Sequence, residues 1–137
     1  YKRQEKTSEV ITVKYEKNSA SQEDYLELIY ELSQKYPDFK AVDIANEMNI
    51  SRASVSEALQ KLANQDLIVY EKYKPAVLTK KGLKIAKEVS LKHKTLCKFF
   101  QCFLHLSEED AQINACRIEH VITDTAFERI KEIAENF

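Results

Sequence analysis

The stretch "ACRIEHVITD", residues 115–124, carries a thiol, a carboxylate and an imidazole within five consecutive positions. On a helix, Cys116, Glu119 and His120 stand at i, i+3 and i+4 and share one face. The chemistry open to such a face is metal ligation. Carboxylate and imidazole suit Mn²⁺ and Fe²⁺, and a thiolate draws the preference toward softer metals such as Fe²⁺ or Zn²⁺. The competing reading for Cys116 alone is a structural cysteine that packs as a small apolar side chain. Three ligand types on one helical face rarely arise for packing reasons, so ligation is the better account of the set.

Such a face needs elements to hold it. With 137 residues, 44% hydrophobic and 31% charged, the chain can bury a real core and is too apolar for disorder. No apolar run reaches the length of a membrane span and no secretory signal pattern opens the chain, so a cytoplasmic protein away from membranes is expected. Cys97, Cys102 and Cys116 are odd in number and lack disulfide-framework spacing, which points to free thiols in a reducing compartment. One glycine and two prolines predict a mainly α chain with few tight turns.

Residues 1–20, with the alternating "VITVKYEK", read as an N-terminal extension, either a short edge strand or an arm. From Ser21 a capping-box pattern leads into Tyr25, Leu28, Ile29 and Leu32 at helical spacing, and Pro37 ends that helix. "AVDIANEMNI" gives a short stripe of Ile44, Ala45 and Met48. Asn49 and Ile50 make a turn, and Ser51 caps "RASVSEALQKLANQ", in which Val55, Ala58, Leu59 and Leu62 face inward. Two short helices about a tight turn form a helix-turn-helix pattern. Two short strands follow, Leu67–Glu71 and Ala76–Thr79, around a "KYKP" tip, and they form a wing. After Gly82 a long helix runs to about Phe103. Further helices are predicted over about Glu108–Ile122 and Asp124–Phe137; in the last, Ala126, Phe127, Ile130, Ile133, Ala134 and Phe137 form an apolar stripe that must pack on its own domain or on a second subunit.

The formal net charge of −1 hides an asymmetry. Residues 40–85 hold eight Lys/Arg against five Asp/Glu, so the helix-turn-helix and wing are the basic part of a nearly neutral chain.

The motifs "SQEDYLELIYEL", "SRASVSEALQKL", "LIVYEKYKPAVLTKKG", "LKHK" and "ACRIEHVITDTAFERI" occur in this order between about Ser21 and Phe137. Together they resemble the metal-dependent repressors typified by the diphtheria toxin repressor and the manganese transport regulator. The resemblance implies a winged helix-turn-helix DNA-binding domain (21–84), followed by an α-helical metal-binding and dimerisation domain (85–137). It also implies a homodimer that binds a pseudo-palindromic double-stranded DNA operator when a divalent metal, Mn²⁺ or Fe²⁺ with Zn²⁺ as a third candidate, is bound. Carried over by position, the ligand set is Asp24, Glu27, His93, Cys116, Glu119 and His120. Asp24 and Glu27 resemble the manganese type and Cys116 the iron type. Cys97 and Gln112 fall where iron-type members place a carboxylate and a histidine of a second site, so Cys97 is expected in the core. Pro75 stands in the wing where glycine is usual.

For DNA, Ser51, Arg52, Ala53, Ser54 and Ser56 open the recognition helix and are placed to meet base edges or adjacent phosphates. Arg52 is the one long base-reading side chain among them, so direct readout is modest and DNA shape supplements it. Lys61, Lys72 and Lys74 suit phosphate contacts. Two other classes compete with this reading. One is a metal-independent winged-helix regulator that senses a small organic ligand. The other is a zinc metalloenzyme built on Cys116, His120 and His93 with a carboxylate as base. The chain has neither an H-E-x-x-H motif nor a glycine-rich phosphate loop, so no enzymatic activity is expected.

Overall fold

The first helix, α1 (Ala20–Lys35), turns Tyr25, Leu26 and Ile29 into the core of the N-terminal unit. The computed structural model describes residues 20–136, so the expectation for residues 1–19 lies outside the described residues. The helix begins at Ala20, one residue before the predicted start at Ser21. The helix closes with Tyr36 N–H donating to the Leu32 carbonyl at 2.7 Å, immediately before Pro37. A proline there can neither donate nor let its predecessor continue the helix.

Helix α2 (Ala41–Met48) starts where the Lys40 N–H donates to Asp43 Oδ2 at 2.7 Å. It ends at Asn49, whose φ of 55° and ψ of 48° are left-handed, and Ile50 N–H donates back to the Ala45 carbonyl at 3.1 Å. Asparagine is among the few non-glycine residues that accept this conformation readily, which is why the turn can be so tight. Ser51 then caps α3 (Arg52–Asn64), its hydroxyl oxygen accepting from Ser54 N–H at 3.1 Å. Val55, Leu59 and Leu62 are buried and Ala58 half-buried, as the periodicity predicts. Ile44 and Ala45 of α2 join them in one cluster.

The wing is shorter than the sequence suggests. Strands β1 (Ile68–Val69) and β2 (Val77–Leu78) pair antiparallel, with Ile68 opposite Leu78 and Val69 opposite Val77. Between them Lys74 N–H donates to the Glu71 carbonyl at 3.1 Å and Tyr73 sits at a φ of 67°. That turn sets the tip conformation, with Pro75 just beyond it. Thr79 fastens the wing's base: its hydroxyl donates to the Asp66 carbonyl at 2.7 Å and accepts from Gly82 N–H at 3.1 Å. Gly82 is the chain's one glycine and it packs directly on Leu67; any Cβ here would collide with the Leu67 carbonyl. The need is for space, not for unusual dihedrals, and substitution would force the wing and helix apart.

Helix α4 (Lys80–Cys102) follows. By backbone contacts the chain divides inside it, into a unit of Ser21–Glu88 and a unit that includes Val89–Phe137. In the second unit, Leu96 and Cys97 of α4 are buried with Ala115 of α5 (Glu108–Ile118), and Phe100, Ile118, Ile122 and Ile130 pack around them. Ser107 caps α5, accepting from Asp110 N–H at 3.1 Å. Thr123 caps α6 (Asp124–Glu135) in the same way, accepting from Ala126 N–H at 3.2 Å. Of the stripe on α6, Phe127 and Ala134 are buried and Ile130 half-buried. Ala126 and Ile133 are exposed, and Phe137 is outside the described residues. None of the three cysteines is disulfide-bonded.

Helix α5 is shorter than expected and stops at Ile118. Val121 and Ile122 N–H both donate to the Ile118 carbonyl, at 3.1 and 2.9 Å, in a tight connection that leads into the Thr123 cap. The β-branched run Val121-Ile122-Thr123 is a poor continuation of a helix, and the cap offers it a better alternative.

Candidate metal centre

His93 is the hub of the second unit's polar cluster. It lies on α4, one turn before buried Cys97, on the side that meets α5. Its Nδ1 lies 2.7 Å from Glu119 Oε2, and its Nε2 lies 2.7 Å from Gln112 Oε1. Cys116 Sγ approaches Nδ1 at 3.8 Å, and Cys97 Sγ approaches Nε2 at 3.5 Å. The second oxygen of Glu119 takes His120, with Nε2 to Oε1 at 3.2 Å. One carboxylate therefore faces two imidazoles, with side chains of only 3% exposure for Glu119, 18% for His93 and 5% for His120.

The local sequence explains how these atoms meet. Gln112, Cys116 and Glu119 are at i, i+4 and i+7, one stripe along α5 and its C-terminal cap. Glu119 is the cap residue itself, yet its φ of −58° and ψ of −28° are still helical, so it stays on the stripe. His120 is already in the turn. The three side chains of "CRIEH" therefore converge without sharing a helix to its end, a correction to the simple i, i+3, i+4 picture.

Burial pushes the Glu119 carboxyl up, but its hydrogen bonds and charge interactions with His120 and His93 outweigh this and hold it below the usual carboxylate range. A buried carboxylate needs such partners, since an unpaired buried charge is costly. Cys97 moves the other way: burial first, and then the Glu119 charge, push its thiol up. It remains S–H and donates to the Ala111 carbonyl at 3.9 Å.

Ligand atoms from His93, Cys116 and Glu119 all lie within 4.8 Å of one another, which suits a single divalent ion. The donors are one imidazole, one thiol and one carboxylate, with the second imidazole of His120 on the same carboxylate. Such a mixed N, O and S set fits Mn²⁺, Fe²⁺ or Zn²⁺ far better than Ca²⁺ or Mg²⁺. Four of the six residues named from the sequence are thus brought together within this unit. Asp24 and Glu27 stand on α1 of the other unit, Asp24 exposed and Glu27 half-buried. In the sequence Gln112 stands out only as the absence of a histidine, although its position four residues before Cys116 places it on the same face.

The residues named for DNA contact lie in the first unit. Ser51, Arg52, Ala53, Ser54, Ser56 and Lys61 are all exposed on α3 or at its cap, opposite buried Val55, Leu59 and Leu62. Lys72 and Lys74 are exposed at the wing tip. Lys74 is tied to Glu71 at 2.8 Å, whereas Lys72 lies over the Tyr73 ring at 5.1 Å. Lys61 reaches only a long 4.0 Å contact with Glu57, leaving its charge well solvated.

Two family models divide the chain between them. Residues 17–76 match the family model described as iron dependent repressor, N-terminal DNA binding domain. Residues 79–137 match the one described as iron dependent repressor, metal binding and dimerisation domain. An uncharacterised HTH-type transcriptional regulator of Methanocaldococcus jannaschii is 38% identical over 120 residues, covering 87% of this chain and 96% of its own. The HTH-type transcriptional regulator MntR of Geobacillus kaustophilus is 35% identical over 117 residues, covering 85% of this chain and 82% of its own. Among solved structures, the manganese regulator SloR superposes with a TM-score of 0.73 at 33% identity, over 82% of this chain and 53% of that one. The T. acidophilum IdeR structure gives a TM-score of 0.72 at 26% identity, over 81% and 52%. The chain thus spans about half the length of these two solved structures.

Proposed function

The chain belongs to the iron dependent repressor family of metal-dependent transcriptional regulators, and from that premise we propose that it is a repressor of metal-homeostasis genes with Mn²⁺ or Fe²⁺ as corepressor. The observation that carries this reading is the convergence of His93, Cys116, Glu119 and His120 in a chain that also carries a winged helix-turn-helix. Among the described residues no helix is long and apolar enough to cross a membrane, and a cytoplasmic regulator accords with that.

In this reading residues 21–84 bind DNA and residues 85–137 bind metal and dimerise. Asp24 and Glu27 contribute carboxylates from the DNA-binding part to the ligand set of His93, Cys116, Glu119 and His120. A bound divalent ion supplies charge neutralisation and directed bonds among these side chains. Arg52 and the short side chains around it read the major groove, while Lys61, Lys72 and Lys74 bind phosphate. A homodimer presents two recognition helices to the half-sites of a pseudo-palindromic operator. The ligand residues act at a distance from the DNA: held in one arrangement, they raise the fraction of protein whose recognition helices match the half-site spacing. Coupling of this kind is worth about 1–3 kcal/mol, or roughly 5- to 150-fold in DNA affinity. The chain's own residues supply no catalytic motif, and a family of regulators accords with that.

The metal centre is tested by melting the full chain in chelator and then with Mn²⁺, anaerobic Fe²⁺ or Zn²⁺. An ion that binds only the folded protein adds about 2.7 kcal/mol at a concentration one hundred times its Kd, so the melting temperature should rise. Equal melting temperatures under all four conditions would remove the metal from the account.

A further inference from the structure

Metal ligation by His93 requires one ring nitrogen to offer a lone pair, and something must keep the proton on the other. We propose that Gln112 is the positioning residue of this centre: with its side-chain oxygen it holds the proton of His93 on Nε2, so that Nδ1 is the atom presented to the metal. The inference rests on reading the cluster as a metal centre and adds to it a residue outside the ligand set.

The geometry points this way from both ends of the ring. Nδ1 is the nitrogen beside the other donors, 2.7 Å from Glu119 Oε2, which accepts its proton until a metal takes that place, and 3.8 Å from Cys116 Sγ. Nε2 faces away from them, toward Gln112 Oε1 at 2.7 Å. An amide oxygen can only accept, so this contact requires N–H on Nε2. Cys97 supplies an independent argument. Its Sγ contacts the Ala111 carbonyl at 3.9 Å, which takes the S–H and leaves sulfur lone pairs for Nε2 at 3.5 Å. Both neighbours of Nε2 are therefore acceptors. Acceptors thus flank both ring nitrogens, and the proton given up on metal binding is the one at Nδ1, beside the other donors, while Gln112 Oε1 retains the one at Nε2. Partners of this kind fix both tautomer and ring orientation, and losing one typically costs about 10- to 100-fold in metal affinity. Cys97 is on this account an acceptor to the ring and not a ligand.

The test uses the full chain, Zn²⁺ as a diamagnetic probe and Mn²⁺ for affinity. Long-range ¹H–¹⁵N spectra of the Zn²⁺-loaded protein should show His93 protonated on Nε2 and coordinated through Nδ1. Gln112→Leu, a change at an exposed position of similar size, should lower Mn²⁺ and Zn²⁺ affinity about 10- to 100-fold. Gln112→Glu retains an acceptor and should restore affinity to within a few-fold of the original. Unchanged affinity in Gln112→Leu, or a His93 proton found on Nδ1 in the loaded protein, overturns the proposal while leaving the metal centre standing. An unsubstituted chain that binds neither ion overturns the metal centre itself, and the proposal with it.

Discussion

Replacing Glu119 by glutamine should reduce affinity for Mn²⁺ and Fe²⁺ by roughly two orders of magnitude or more, the largest effect expected of any single change in this chain. The carboxylate is almost fully buried and each of its oxygens serves a different imidazole, His93 at 2.7 Å and His120 at 3.2 Å. Glutamine keeps the shape but gives up the charge, and its nitrogen cannot accept from the second histidine or bind a metal. A loss of two orders corresponds to about 2.8 kcal/mol, and truncating one partner of a buried, hydrogen-bonded charge pair costs binding about 2–5 kcal/mol. Calorimetric titration gives the affinity, and circular dichroism checks that helix content is retained. Operator affinity in the presence of metal should then fall to its value in chelator. A Glu119→Gln protein that keeps both metal affinity and metal-stimulated DNA binding would show that the cluster is structural.

Arg52→Ala is expected to cost about 1–3 kcal/mol in operator binding and to relax discrimination at one base pair in each half-site. Ser51 caps α3, so Arg52 is its first residue, and the helix start is where recognition helices meet base edges. Ala53, Ser54 and Ser56 are too short to replace a bidentate guanidinium. Random-sequence competition should therefore show a smaller gap between operator and unrelated DNA for the variant, with metal affinity unchanged. A uniform loss on all sequences, with a shallower salt dependence, would instead make Arg52 a phosphate contact.

The DNA-binding unit was legible in the sequence because its signals are local. Asn49 before Ser51 marks both the end of α2 and the start of α3, and Val55, Leu59 and Leu62 keep helical spacing between them. The wing was legible as a hairpin but not in its length, since only two residues of each strand pair before the Tyr73 turn. In the second unit, apolar Val121 and Ile122 kept the periodicity running past Ile118, and periodicity alone could not register the stronger cap at Thr123. Cys116 and Glu119 nonetheless keep to one stripe, because Glu119 remains helical in its dihedrals. His93, as a single histidine on a long helix, had no local signal; its place depends on contacts with residues 19 and 26 positions away. Gln112 was legible only as a departure from a pattern, because an amide that orients a ligand carries no ligand chemistry of its own.

Whether metal at this cluster licenses DNA binding is decided by anaerobic selection of genomic DNA fragments by the full chain, in chelator and then with Mn²⁺, Fe²⁺ and Zn²⁺ separately. Fragments should be retained with a metal and lost in chelator, with an inverted repeat common to them. Retention of the same fragments in chelator would contradict licensing by metal and leave a winged-helix regulator that answers to something other than metal.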